Sequence, residues 1–379
     1  METIRVSFPH LGSYHTPMKV LFTFGFDVEY IAPPPITERT LSLGSRYSPE
    51  FVCAPFKYNL GNFIETIEAG ANTLVQTGGT CRLRYYGELH EQILRDLGYK
   101  VKFINMAKVQ DARPTTLYRE LKEINPEMSL KRIAEILPVV VKMIEYIDKV
   151  EDYIRKNVGF ETIPGSFDKV HASFLSELRS VHSRKELNRV YRKYMRLFKK
   201  IEVQKPANPL KVGIVGEYYT VMEPFSNHNL ERELARKGIV VDRWLNVSST
   251  LFHYPKKKIE ENTRDYVKYP MGATAMVTID RALECAKKGF DGIIHVKSFG
   301  CTPETDVIPV LQNISKDYNI PVLYLTFDTQ NSDVGFITRL EAFYDMIKMR
   351  KEMGQNFKHP SAHSNRFYPN HWGECSPSS

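Results

Sequence analysis

Five cysteines are scattered through 379 residues, and three stand where a strand-like run is expected to give way to a helix. Cys53 follows Phe51-Val52 and precedes Ala54-Pro55; Cys81 follows the strand-like Thr73–Gln76 and the loop Thr77-Gly78-Gly79-Thr80. Cys301 follows the strand candidate Ile293–Ser298 and leads into Thr302-Pro303-Glu304, a helix start. A helix N-terminus offers unpaired N–H groups and about half a positive charge. Both favour thiolate over thiol, with pKa values falling to about 3.5–7.5 at such positions, and thiolate is the form that binds metal. In an open parallel sheet these turns lie at the carboxyl edge, where ligands collect. If Cys53 and Cys81 share one sheet and Cys301 belongs to another, the three converge only across a cleft. Three thiolates facing one point repel unless a cation stands between them.

The spacing alone leaves the cation open. Structural zinc favours four ligands, often in close pairs, and the chain has no C-x₂-C. Iron–sulfur clusters take thiolates from distant parts of a chain, and three would leave one iron open to a substrate or a non-protein ligand. Buried cysteines that bind nothing are the plain alternative.

The stretch CAPFKYNLGNFIETIEAGANTLVQTGGTCR, with GIVGEYYTVMEPFSNHNLERELARKGIVV, GFDGIIHVKSFGCTPETDVIPVL and IPVLYLTFDTQNSDVGFITRLEAFYDMI, resembles the 2-hydroxyacyl-CoA dehydratase superfamily. That group includes the benzoyl-CoA reductase subunits and the double-cubane cluster proteins. The resemblance runs from about Ile4 to Lys351 and is nearer to the shorter members than to the dehydratase subunits. It implies that Cys53, Cys81 and Cys301 hold an iron–sulfur cluster, either 4Fe-4S or a shared double cubane. It also implies low-potential redox chemistry, fed by an ATP-hydrolysing activator that carries its own cluster, and a homodimer or a heterodimer with a related subunit. The activity expected is that of an activator-dependent reductase or a dehydratase-like lyase, acting on an acyl-CoA or another small molecule. A non-catalytic electron carrier or scaffold subunit is the second expectation. A metal-free two-domain protein that binds a ligand or transfers a glycosyl group is the third.

Length, charge and composition bound these readings. A chain of 379 residues is long enough for two cores. No apolar run reaches the 18 or more residues of a membrane span, and METIRVSFPH lacks a signal-peptide pattern, so a cytoplasmic protein is expected. Odd and scattered cysteines argue against a disulfide framework. The formal charge of +8 is concentrated in VYRKYMRLFKK and YPKKK, which read as solvated helix faces, with an anionic substrate or acidic partner as the alternative. No nucleic-acid reader motif appears. Gly213 and Gly216 form no dinucleotide fingerprint and no P-loop is present, so the chain itself is not expected to bind ATP.

The elements that must position the cysteines alternate strand and helix, which predicts parallel sheets covered on both faces. The fold expected is α/β: two Rossmann- or flavodoxin-like domains, residues 1–114 and 206–357, joined by a helical region, residues 115–205, with the cluster in the interdomain cleft. Residues 358–379 are expected to form a disordered tail, and His359, His363, His371 and Cys375 in it show no metal-binding spacing. Ile4–Phe8 and Val28–Ala32 read as strands, and Ile36–Pro49 as a loop with one helical turn. Gly61 falls inside the helix that begins near Pro55, so either the helix breaks there or something packs closely on that face. The stripes Ile133, Ile136, Val140, Met143, Ile144, Ile147 and Leu187, Val190, Tyr191, Tyr194, Phe198 read as core, and Pro138 should kink its helix.

Five further residues were placed near the proposed site by position in the chain. Glu217, at a strand end, is the candidate for proton delivery to a substrate. Ser298 could hydrogen-bond a cluster sulfur, and Lys57, Arg82 and Arg84 could raise its potential or meet an acidic partner. Cys285, inside ALECAKKG, reads as a small core residue.

Overall fold

A computed structural model describes residues 3–76, 81, 83–106, 114–329 and 333–354. The expectations for Thr77–Thr80, Arg82, the Arg84 side chain, the cap at Ser332 or Asp333 and the tail lie outside the described residues.

Two four-stranded, all-parallel sheets carry the chain. The first contains β1 (Arg5–Ser7), β2 (Glu29–Tyr30), β3 (Thr73–Gln76) and β4 (Lys102–Asn105), in the order β2-β1-β3-β4. Helices α1 (His15–Val20), α2 (Glu38–Tyr47), α3 (Ala54–Glu68), α4 (Leu83–Asp96) and α5 (Pro114–Ile124) connect and follow its strands. The purely helical stretch is α6 (Leu130–Asn157), α7 (Ser166–Leu178) and α8 (Arg184–Lys200). The second sheet contains β5 (Lys211–Gly216), β6 (Val240–Asp242), β7 (Gly292–Ser298) and β8 (Val322–Phe327), in the order β6-β5-β7-β8. Around it lie α9 (Tyr218–Met222), α10 (Leu230–Arg236), α11 (Lys256–Thr263), α12 (Ala275–Lys287), α13 (Thr302–Asp306), α14 (Ile308–Tyr318) and α15 (Asp333–Glu352). The expected two-domain α/β fold is the one observed.

Both sheets follow one rule of connection. In each, the first strand pairs on one side with the second and on the other with the third, so the strand order reverses between first and third strands. That reversal opens a crevice at the carboxyl edge. β7 is buried along its whole length, as the central strand of a sheet covered on both faces must be.

The helical stretch packs both predicted stripes into one apolar cluster, joined by Tyr14 before α1 and by Met222 and Val247 from the second unit. Pro138 sits inside α6, which continues as one helix of 28 residues. A buried polar thread crosses the same seam. Tyr14 donates its hydroxyl to Asp148 of α6 at 2.5 Å, and the Ser248 N–H donates to the other Asp148 oxygen at 2.8 Å.

One local expectation is corrected, and the choice left open at Gly61 is decided for close packing. Residues 36–49 are not a loop with one turn, because Thr37 caps a ten-residue helix, α2, with a reciprocal capping box to Thr40. α3 does not break at Gly61; a Cβ there would lie 1.9 Å from the Thr40 carbonyl oxygen, and one on Gly44 would lie 1.8 Å from that of Lys57. The close-packed partner is therefore α2, crossing α3 glycine against glycine.

Candidate metal centre

The crevices of both sheets open onto the same place. Cys53 is the N-cap of α3 and Cys301 the N-cap of α13, each with extended backbone and a proline at the second helical position. Their local frames match: in each the N–H of the third helical residue, Phe56 or Glu304, acts on the sulfur. Cys301 lies close enough to Cys53 for the charge on one to bear on the other, and Cys81 bears on Cys53 in the same way. Cys53 therefore stands within electrostatic range of Cys81, which follows β3 of the first sheet, and of Cys301, which follows β7 of the second.

One hydrogen bond fixes the approach of the two halves. The Ala54 N–H, next to Cys53, donates to Ser298 Oγ at 3.0 Å, and Ser298 donates in turn to the Phe299 carbonyl at 3.1 Å. Through these bonds Ser298 ties the first turn of α3 to the end of β7. Lys57 Nζ, on the next turn, donates to Thr329 Oγ1 past the end of β8 at 3.4 Å. On the far side of the crevice, Glu223 Oε2 accepts from the Gly12 N–H at 3.0 Å and lies 3.0 Å from His10 Nδ1.

Cys53 differs from expectation in one respect. Phe51-Val52 is a turn rather than the end of a strand, and α2 leads into it. Cys53 thus reaches the sheet edge on a helix pair inserted between β2 and β3, whereas Cys301 reaches it from a strand, β7.

The electrostatics also differ from the helix-terminus expectation. Burial pushes the Cys53 thiol up to about 11, and the Glu217 carboxylate adds to this; the Tyr86 hydroxyl and the Phe56 N–H offset only part. Burial and Glu217 push the Cys301 thiol up as well, against the Glu304 N–H. Desolvation and a neighbouring carboxylate outweigh the helix ends here. Without a bound cation these sulfurs stay protonated, and a coordinated metal would deprotonate them.

Glu217 follows β5 at the reversal point of the second sheet, beside β7, where its N–H donates to the Val296 carbonyl at 2.8 Å. Gly216 before it has φ +142°, and a Cβ there would meet the Val296 oxygen at 1.8 Å, so only glycine allows this contact. The Glu217 carboxylate accepts from the Tyr219 N–H at 2.8 Å, the Thr220 N–H at 2.9 Å and the Thr220 hydroxyl at 2.5 Å. It thereby occupies the helix N-terminus where dinucleotide folds hold a pyrophosphate, which accords with the missing fingerprint. Burial raises its pKa despite these bonds.

Several supporting residues escaped the reading of the chain. Tyr86 on α4 places its hydroxyl 3.7 Å from Cys53 Sγ. His90, one turn on, is fully buried, 3.0 Å from the Phe56 carbonyl and 2.8 Å from Gln76 Oε1, and its ring stacks on Phe56 at 4.0 Å between centroids. It clamps α3, which carries Cys53, to the strand that leads to Cys81. In the second unit Glu304 is fully buried, 2.9 Å from His295 Nε2, and accepts from the hydroxyls of Thr274 and Thr278. Two signals were visible: the i, i+4 pair Tyr86 and His90 just after Cys81, and the shared pattern Cys-x-Pro at Cys53 and Cys301. Cys285 is buried in the core of the second unit, as expected.

Among the described residues no three His, Cys, Asp or Glu side chains close on a single metal ion. A cubane makes a different demand, since its thiolates bind separate irons and need not meet at one point. Three sulfurs without a histidine are a donor set that fits an iron–sulfur cluster better than zinc. Among the described residues no helix is long and apolar enough to cross a membrane. The chain matches no protein-family model and no curated protein.

Proposed function

We propose that the chain is an iron–sulfur protein of the 2-hydroxyacyl-CoA dehydratase type, a low-potential reductase or dehydratase component that receives electrons from an ATP-dependent activator. The observation that supports this reading is that Cys53 lies within electrostatic range of both Cys81 and Cys301, which follow strands of two separate sheets. A bound 4Fe-4S or double-cubane cluster would supply one-electron reducing chemistry. Cys53, Cys81 and Cys301 would hold it, and the Tyr86 hydroxyl would support the Cys53 sulfur. Glu217 is a buried acid whose charge bears on both Cys53 and Cys301, and its raised pKa favours holding a proton there.

Exposed aromatic side chains support an electron-donating partner at this place. Phe51 is 89% exposed and Phe299 61% exposed, and each lies two residues before a site cysteine. Desolvated aromatic contacts of this kind anchor protein interfaces. A dimer with a like or related subunit, and an acyl-CoA or small-molecule substrate, belong to the same proposal.

A non-catalytic electron carrier or scaffold is the second reading, and one observation favours it: both oxygens of Glu217 are already engaged by its own helix. Anaerobic purification followed by iron and sulfide analysis tests the cluster. A brown protein with iron and sulfide in equal amounts is expected, and a colourless, iron-free one would leave only a metal-free ligand-binding protein. Turnover with activator, ATP and a reductant separates the enzyme from the carrier.

A further inference from the structure

A cavity of about 430 Å³ opens between α6, the end of β6 and α12, and none of Cys53, Cys81, Cys301 or Glu217 lines it. Its size is near the low end of the roughly 300–1,000 Å³ of ligand pockets, which suits a small metabolite rather than a coenzyme A ester.

Most charges on its wall are matched within the protein. Asp152 pairs with Lys156 at 2.6 Å, His253 lies 3.3 Å from Glu145, and Glu284 meets Lys288 at 2.5 Å and also Arg281. Arg243 reaches Glu231 at 2.9 Å, and Asp148 is satisfied by Tyr14 and Ser248. Two wall charges are left over. Among the described residues, Asp242, half-buried at the end of β6, accepts no hydrogen bond and has no cation within 4.0 Å, and Lys149, on the exposed side of α6, has no carboxylate within that distance, its ammonium lying 6.0 Å from the Tyr146 ring centroid. Burial holds the Asp242 carboxyl above the ordinary range; Asp152 and Glu284 add to the rise, and Lys156 and Lys288 oppose it. A half-buried carboxylate without a partner is an unfavourable arrangement that an incoming ammonium would relieve. Trp244, two residues past Asp242, lines the same cavity, its ring covered on one side by the Arg281 guanidinium at 4.7 Å.

We infer that this cavity binds a small zwitterion of the α-amino-acid class, with the ligand ammonium on Asp242, its carboxylate on Lys149 and its side chain against Trp244. One carboxylate and one ammonium are left over among otherwise matched charges, and that pairing selects a zwitterion over a plain cation or anion. The inference does not rest on the iron–sulfur reading.

The test is a binding screen on the full-length protein by thermal shift and titration calorimetry, with each of the twenty protein amino acids as probe at about 1 mM. At least one should raise the melting temperature saturably. Asp242→Asn should weaken that binding at least thirtyfold, on the order of 2 kcal/mol, because it removes a partly desolvated charge partner. Lys149→Ala, at an exposed position that leaves the fold intact, should weaken it about threefold to fivefold. The amine obtained by decarboxylating the best ligand should bind no better to wild type than to Lys149→Ala. No saturable shift with any amino acid would overturn the inference. So would a ligand whose affinity neither variant changes, or a decarboxylated amine that binds wild type as tightly as its parent.

Discussion

The two halves of the molecule share one strand order and differ in what stands at the sheet edge. Each places a helix pair between its second and third strands and reverses strand order between the first and third. In both, the N-cap of the helix before the third strand and the turn after that strand are the places near the crevice. The first half fills these with Cys53 and Cys81, the second with Thr274 and Cys301. Thr274 donates its hydroxyl to the buried Glu304, so the fourth place serves the scaffold of the third. The lesson is that a repeated frame can produce an asymmetric site: three sulfurs and one structural hydroxyl from four comparable positions.

The frames are not equally robust. The strands of the first sheet are two to four residues long, whereas β5, β7 and β8 have six, seven and six. The first half compensates with helix contacts, above all the crossing of α2 and α3 and the clamp at His90. Each half should therefore fail at its own close backbone contact. Gly216→Ala in the second half and Gly61→Ala in the first should each destabilise by about 3 kcal/mol or more in urea titrations, the first through a carbonyl clash and positive φ, the second by forcing two helices apart. At an ordinary helix position glycine to alanine would stabilise by up to about 1 kcal/mol, so a stabilised Gly61→Ala variant would contradict the crossing.

The first half alone should lose stability in mild acid through His90. Burial lowers its pKa from 6.5 to about 3, so between these values the unfolded chain binds a proton that the folded one does not. The contribution of neutral His90 is complete above pH 6.5 and is lost as pH falls, by about 1.4 kcal/mol per pH unit down to the folded pKa. His90→Gln should flatten this slope in the stability-versus-pH curve; an unchanged slope would assign the acid sensitivity elsewhere.

A smaller effect is expected at the join. Ser298→Ala leaves the buried Ala54 N–H without its acceptor, a loss of about 1–3 kcal/mol. Hydrogen exchange should quicken at the first turn of α3 while β7 keeps its protection. Equal loosening of both would mean that Ser298 serves its own strand more than the union of the halves.

Much of this plan was legible in the chain. Alternation of apolar runs with helical patterns marked both sheets, and the Cys-x-Pro starts marked two of the site's helix ends. The helix α2 was hidden because its sequence, ERTLSLGSRY, is polar overall and has a glycine in its second half, which reads as a loop until Gly61 supplies the facing surface. The thiol acidity was misjudged because a helix terminus is visible locally, whereas burial and the Glu217 carboxylate, 164 positions after Cys53, arise only from tertiary packing. Ser298 stands three positions before Cys301 in the chain, but its role in joining the halves depends on a partner, Ala54, that lies 244 residues away.

The account depends on sulfurs from both halves acting as one set, and iron content in single-cysteine variants purified without oxygen tests this most directly. Cys301→Ala should lose its iron as fully as Cys53→Ala or Cys81→Ala, while Cys285→Ala keeps the wild-type amount. Full iron in Cys301→Ala, alongside its loss in the two first-half variants, would contradict a site shared between the sheets.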